Sequence, residues 1–391
     1  MTSRELRASV SLASIFGLRL FGMFIILPVF ALWTQGRPGW SLQLAGIAMG
    51  AYGLTQGILQ IPYGWLSDRY GRKPLLHAGL AIFAAGSFLC ASGESPWAMI
   101  AGRIVQGAGA ISAVTLAMTA DLTREGQRTK AMAIIGSTIG AVFAVSFVAA
   151  PFLERSIGVR GIFALTGALA IAAMAVVRWV VPDAPAQKRS VPLAAVCKAL
   201  TDPELVRLNF GIFALHAVLM ALFVVVPVAM VKAGLPAPDH WLVYLSAVGA
   251  GFVLMLPAVI GPASLHERPV FLASVATVAV AIAVLAAQLA SLAGIVGALV
   301  IFFAGFNVLE AKLPALVSRA APRETTGAAT GAYSSVQFLG TFFGAAAGGA
   351  IAQHAGFVAV LVTCLVVTLS WLAVAWNMGD FVPAATPASR T

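Results

Sequence analysis

Long apolar runs, each cut short by a polar or charged break, follow one another along almost the whole chain. A helix crosses the hydrocarbon layer of a bilayer with about 20 predominantly apolar residues. Runs of that kind lie at residues 10–33, 42–66, 75–92, 97–120, 131–153, 161–181, 206–230, 241–262, 270–289, 292–316, 327–351 and 357–378. The pattern predicts an all-α membrane protein of twelve transmembrane helices. One break is much longer than the others: 182–204 is polar, proline-bearing and basic, with Lys188, Arg189 and Lys198. It divides the chain into a six-helix bundle at 1–181 and a second, pseudo-symmetric one at 205–379, joined by a cytoplasmic linker at 182–204 and followed by a short cytoplasmic tail at 380–391.

Composition agrees with the bilayer as solvent, since 60% of residues are hydrophobic and only 10% charged, too little polar surface to cover a water-soluble globule. The formal net charge of +10 has another origin than nucleic acid, because no basic stripe with interleaved aromatics occurs. Lys and Arg instead gather in the breaks on one side, including Arg4, Arg7, Arg69, Arg72, Lys73, Arg124, Arg128 and Lys130, while Arg37, Arg155, Arg160 and Lys232 fall on the other. By the positive-inside rule both termini are cytoplasmic. Cys90, Cys197 and Cys364 are far apart, which supports neither a disulfide framework nor a metal site, and no cofactor is expected. The first apolar run contains Arg19 and no small-residue cleavage site, so it reads as a retained span and not as a signal peptide. His-Glu-x-x-His and Gly-x-Ser-x-Gly are both missing, so the chain is not read as an enzyme.

The most informative break is Gly64-Trp65-Leu66-Ser67-Asp68-Arg69-Tyr70-Gly71-Arg72-Lys73-Pro74. Its glycines permit a tight turn, Asp68 can meet the positive end of a helix, and Arg69, Arg72 and Lys73 hold the turn in the cytoplasm. Asp121 and Arg124 leave the membrane on the same side. Inside the spans charged groups are rare and costly, and they face a cavity or a partner. Glu310 is the only one of fourteen acidic residues well inside a span, a candidate proton carrier or else half of an ion pair with Lys312. Arg103 and Arg19 are basic exceptions in the first half. Arg19, Tyr52, Gln56, Gln60, Asn209, His216, Asn307, Tyr333 and Gln337 are candidates to line a central cavity, with Met23, Phe24, Met220 and Phe223 as its apolar wall. Such a pocket suits a hydrophobic or amphipathic guest. Small residues four apart, as at Gly46 and Gly50, Gly53 and Gly57, and Gly340, Gly344 and Gly348, suit close helix crossings in lipid.

The Gly64 to Pro74 turn resembles the loop between helices 2 and 3 of the major facilitator superfamily. Gly102-Arg103-Ile104-Val105-Gln106-Gly107-Ala108-Gly109 resembles its helix 4 motif, and Gly136, Gly140 and Pro151 resemble the helix 5 motif of its drug:proton antiporters, with Ala150 where that motif has glycine before proline. Nearly the whole chain resembles the YajR-type branch, through Tyr52-Gly53-Leu54-Thr55-Gln56, Asp121-Leu122-Thr123-Arg124-Glu125, Asn307-Val308-Leu309-Glu310-Ala311 and Tyr333-Ser334-Ser335-Val336-Gln337. Some members of that branch add a soluble C-terminal domain, which this chain is expected to lack. The resemblance implies a monomeric inner-membrane transporter that works by alternating access, exporting small molecules against protons. It implies that Asp68, Arg72 and Asp121 trade partners during gating, with Asp68 facing the start of the eleventh span near Thr326 and Gly327, and that Arg103 takes part in proton coupling. Proton-coupled uptake of a metabolite such as a sugar or an organic acid, and a non-transporting sensor, stay open as alternatives.

Overall fold

The computed structural model describes residues 1–183, 197, 201–260, 267–322 and 325–378. Most of the expected linker at 182–204 and all of the expected tail at 380–391 lie outside the described residues. The helices are α1 Ser3–Phe24, α2 Leu27–Trp33, α3 Leu42–Tyr70, α4 Arg72–Ser92, α5 Pro96–Ala108, α6 Ser112–Asp121, α7 Arg128–Trp179, α8 Pro203–Lys232, α9 His240–Ile260, α10 Glu267–Ala287, α11 Leu292–Ala320 and α12 Thr326–Trp376. Local chemistry marks where several of them begin. Thr2 and Glu5 form a capping box on α1, the Ser41 hydroxyl accepts from the Leu44 amide, Ser95 caps α5 with Pro96 just inside, and Asp202 caps α8 ahead of Pro203.

Among the described residues ten helical stretches are long and apolar enough to cross a membrane. The run expected at 10–33 is built from α1 and α2, and the run at 97–120 from α5 and α6, with a break at Gly109 to Ile111. The runs at 131–153 and 161–181 share α7, and those at 327–351 and 357–378 share α12. In each of these long helices one glycine leaves the helical region: Gly158 at φ 67° and Gly356 at φ 84°. Only glycine takes such a backbone at no steric cost.

Helices α1 to α7 pack on one another, as do α8 to α12, and each set makes a lobe in that sense. Two seams join them. Along the first, α3 lies so close to α12 that a methyl group at Gly46 would meet the Gly349 Cα at 3.0 Å, one at Gly50 the Phe342 carbonyl oxygen at 2.8 Å, and one at Gly57 the Ser335 carbonyl oxygen at 2.8 Å. The Leu42 amide donates across the same seam to Gln353 Oε1 at 3.1 Å. The second seam is aromatic. Phe143 and Phe147 of α7 pack on Phe223 of α8, Tyr244 of α9 and Phe303 and Phe306 of α11, with centroids 5.0 to 6.4 Å apart. The opposite face of α12 serves its own lobe, where Gly340, Gly344 and Gly348 let α8 approach at Phe213, Ala217 and Ala221. Nothing lies within 4 Å of a methyl group placed at Gly327 or Gly331 of α12, Gly136 of α7 or Gly249 of α9. The close approach of the lobes thus runs along the Leu42 half of α3, and at the other end Gly327 and Gly331 of α12 face open space.

Candidate functional site

Three groups of polar residues stand out, one at the Asp68 end and one inside each lobe. At the Asp68 end, Gly71 adopts φ 95°, so α3 stops and α4 starts with a single residue between them. That places Asp68 and Arg72 together. Arg72 Nη1 lies 2.5 Å from Asp68 Oδ1 and from Ser67 Oγ, and its Nε donates to Asp121 Oδ2 at 3.0 Å, joining the turn to the end of α6. The three charged side chains are only about a tenth exposed, at 10 to 12%, which limits screening by water. Lys73 reaches Asp183 at 2.7 Å, and its hydrogen bond holds that carboxyl below the ordinary range, helped by the charges of Arg178 and Arg4. Arg124 turns away from this group and clasps Glu5 with its guanidinium at 2.8 Å and its backbone amide at 3.1 Å. Arg69 is exposed and rests over Trp65 and Tyr70. Gly64 brings α3 near α6, with Ala113 Cβ 3.7 Å from where its own methyl would be. The structure unites Asp68, Arg72 and Asp121, and it does not bring Asp68 to the start of α12. There Thr326 donates to the Pro322 carbonyl, and Gly327 faces open space.

The group inside the first lobe is buried throughout. Arg103 is 1% exposed and donates to the Ala48 and Met49 carbonyls at 3.3 Å each and to Gln106 Oε1 at 2.6 Å, while Gln106 donates to Ser87. Arg19 donates to Ser112 Oγ at 2.6 Å and to Gln56 Oε1. Gln56 in turn donates to Gln60 at 2.7 Å. The Tyr52 ring lies between the two cations, 5.5 Å from the Arg19 guanidinium carbon and 4.9 Å from that of Arg103. In this conformation none of Arg19, Tyr52, Gln56, Gln60 or Arg103 is more than 2% exposed. Gly140 of α7 faces the Phe252 ring of the other lobe at 3.4 Å, and Pro151 lies inside the same helix.

Within the second lobe α8, α11 and α12 each contribute one member of a cluster. Gln337 Nε2 donates to Glu310 Oε1 at 3.2 Å and to His216 Nε2 at 2.9 Å, and His216 Nε2 lies 3.8 Å from Glu310 Oε2. The Glu310 side chain is 33% exposed, whereas His216 is 7% exposed. Around them Tyr333, Asn307 and Asn209 are buried, and each keeps a polar atom without a hydrogen-bond partner. Met23, Phe24, Met220 and Phe223 are buried as well, so the apolar wall is closed in this conformation. Sequence reasoning did not single out Ser112 as a partner of Arg19, nor Glu5, Asp183, Ser67 or Ser87, and it quoted Gln106 only within a motif. Gln106 is legible as the polar residue three after Arg103, one turn along the same face. Ser112 carries no such signal, because its partner is remote in the chain.

The Major Facilitator Superfamily model matches residues 12–345. The chain is 40% identical over 385 residues to the inner membrane transport protein YajR of Escherichia coli (strain K12), covering 97% of this chain and 85% of the relative. A tetracycline resistance protein, class G, of Vibrio anguillarum is 35% identical over 149 residues, 37% of this chain and 36% of that one. Among solved structures, a bacterial homologue of the human lysosomal transporter Spinster superposes with a TM-score of 0.75 at 13% identity, over 96% of this chain and 97% of that one. At that identity the likeness speaks for the fold alone.

Proposed function

The chain belongs to the Major Facilitator Superfamily of membrane transporters, and on that premise we propose that it exports small hydrophobic or amphipathic compounds from a bacterial cytoplasm in exchange for protons. We read α7 and α12 as two crossings each. A straight helix of 52 residues would be about 78 Å long, against a hydrocarbon core of about 30 Å, and Gly158 and Gly356 supply the turns. Twelve crossings in two six-helix lobes then return both ends of the chain to one side, which the Lys and Arg distribution assigns to the cytoplasm.

The Glu310–Gln337–His216 cluster carries the coupling half of this reading. As a carboxylate, Glu310 accepts a Gln337 amide hydrogen, and neutral His216 accepts the other. A proton on His216 Nε2 removes that acceptor, and a proton on Glu310 removes the charge that strengthens the other, so the position of Gln337 shifts with protonation. Gln337 lies one helical turn from Thr341, the α12 residue against Gly53 on the lobe seam. Protonation thus acts on the helix that both lobes share. With the Asp68 end parted, the partly exposed Glu310 exchanges its proton with the cytoplasm; with that end closed, it exchanges with the outside. We assign closure to Asp68, which leaves Arg72 to Asp121 and meets the first turn of α12, where helix-dipole attraction holds it.

The test uses purified protein in liposomes loaded with ethidium and subjected to a pH step. Expected is dye movement that reverses with the direction of the step and stops with a protonophore. Absence of both dye movement and dye-evoked proton flux would overturn the reading.

A further inference from the structure

Arg19 and Arg103 are equally buried but are not equally satisfied. Arg103 gives its hydrogens to two backbone carbonyls and a glutamine oxygen, an arrangement fixed by the lobe itself. Arg19 meets only side-chain oxygens, on Ser112 and Gln56, and its Nε has no partner although the residue is 2% exposed. Among the described residues no carboxylate pairs with Arg19. A guanidinium in a membrane interior without a counter-ion is costly to keep.

The neighbours of Arg19 supply hydrogen-bond donors too. The crossing formed by α5 and α6 breaks at Gly109 to Ile111, where the Ala110 and Ile111 amides bond back to carbonyls only two residues earlier. Helix α6 therefore begins anew at Ser112, ten residues long, with no side chain capping its first turn. Its positive end lies at the Arg19 guanidinium, through Ser112. The Tyr52 hydroxyl, on the ring beside Arg19, has no partner either. An unmet arginine hydrogen, an unmet hydroxyl and an uncapped helix start all ask for one thing, an acceptor with negative charge.

We infer that Arg19, Ser112, the first turn of α6 and the Tyr52 hydroxyl form a binding site for the carboxylate head of an amphipathic substrate, and that the Gln56 amide oxygen occupies the carboxylate's place in this closed conformation. This deepens the efflux reading and rests on it for the word substrate. Release of Arg19 leaves Gln56 bonded to Gln60 through its other end, so the exchange strands no buried amide nitrogen. Gln56 shares its stretch of α3 with Gly53 and Gly57, both on the lobe seam, so a parting of the seam opens the way to it. Met23, one turn along the same face of α1, gives the apolar tail a wall.

The probes are radiolabelled 4-phenylbutyrate and its neutral counterpart 4-phenylbutyramide, bound at equilibrium to the full chain in lipid nanodiscs without any ion gradient. Wild type is expected to prefer the carboxylate by about tenfold, the scale of one charge-assisted pair. Arg19→Gln brings the ratio close to one and leaves amide binding intact, and Arg19→Lys restores part of the preference. Gln56→Met, which removes the stand-in, raises carboxylate affinity; a purely structural glutamine would lower it or leave it unchanged. The inference is overturned by equal binding of both probes, by binding of neither, by a preference that survives Arg19→Gln, or by carboxylate binding in Gln56→Met that is no tighter than in wild type. Because no gradient is applied, a preserved preference supports the site whatever the flux, and the same protein in liposomes failing to move 4-phenylbutyrate under a pH step counts against the efflux reading alone.

Discussion

Gln337 decides how the second lobe's ionisable residues communicate, because one amide nitrogen serves both Glu310 and His216. On sequence alone Lys312 is the nearest cation to Glu310, but residues two apart on a helix point to different sides. The acid instead finds His216 and Gln337, which are far away in the chain. That is why Glu310 was legible as a rare charge within an apolar run, while its partners were only two names among several polar candidates. Glu310→Gln is expected to reduce pH-driven export in liposomes below about a tenth of wild type, since a neutral amide cannot carry the proton. Binding of an uncharged substrate should persist, which separates lost coupling from lost folding. Retention of wild-type flux under a proton gradient would show that another group carries the proton.

At the scale of helices, the apolar runs fixed the elements well, and the misreadings have particular causes. Hydropathy is blind to the Gly109 to Ile111 break because it lies inside an apolar run and costs no polar residue. Gly158 and Gly356, by contrast, fall within the breaks left between runs at 154–160 and 352–356, so hydropathy did mark the two places where a long helix leaves its regular path. Glycine spacing was legible as close packing, yet not which helix would be approached. The structure divides the glycines of α12 between two neighbours, Gly349 toward α3 of the other lobe and Gly340, Gly344 and Gly348 toward α8 of its own. A larger residue on the first face should strain the seam alone. Gly46→Leu would press on Gly349 and the Ala345 carbonyl, at about 1 to 3 kcal/mol against the closed arrangement. Cysteine probes at the Leu42 end should then label faster than in wild type. Val253→Leu, on an exposed face of α9, should leave that labelling unchanged. Equal labelling of Gly46→Leu and wild type would mean that the seam does not hold this end shut.

For the whole molecule the question is what balances closure at one end against closure at the other. The glycine and aromatic seams hold the Leu42 end, burying Phe147 and Tyr244 to 1% exposure. At the Asp68 end the acid is occupied within its own lobe, bonded to an arginine that Asp121 shares. The motif made this trio legible, but not the partner Asp68 has in any one conformation, because that depends on the position of the other lobe. If Asp68 is the group that meets α12 when the ends exchange, its charge serves both states, Arg72 in this one and the start of α12 in the other. Asp68→Asn keeps a side-chain oxygen for Arg72, whose charge Asp121 still meets, so the net loss falls on the alternative, by about 0.3 to 1 kcal/mol, the usual worth of a charge at a helix start. A shift of that size changes a two-state ratio by roughly two- to fivefold. Cysteines placed at Gly331 and near Leu42 report the two ends in one preparation. Asn at position 68 should raise labelling at 331 and lower it near Leu42 by that factor. Matched labelling of the variant and wild type at both ends would confine Asp68 to its pair with Arg72 and remove it from the gate.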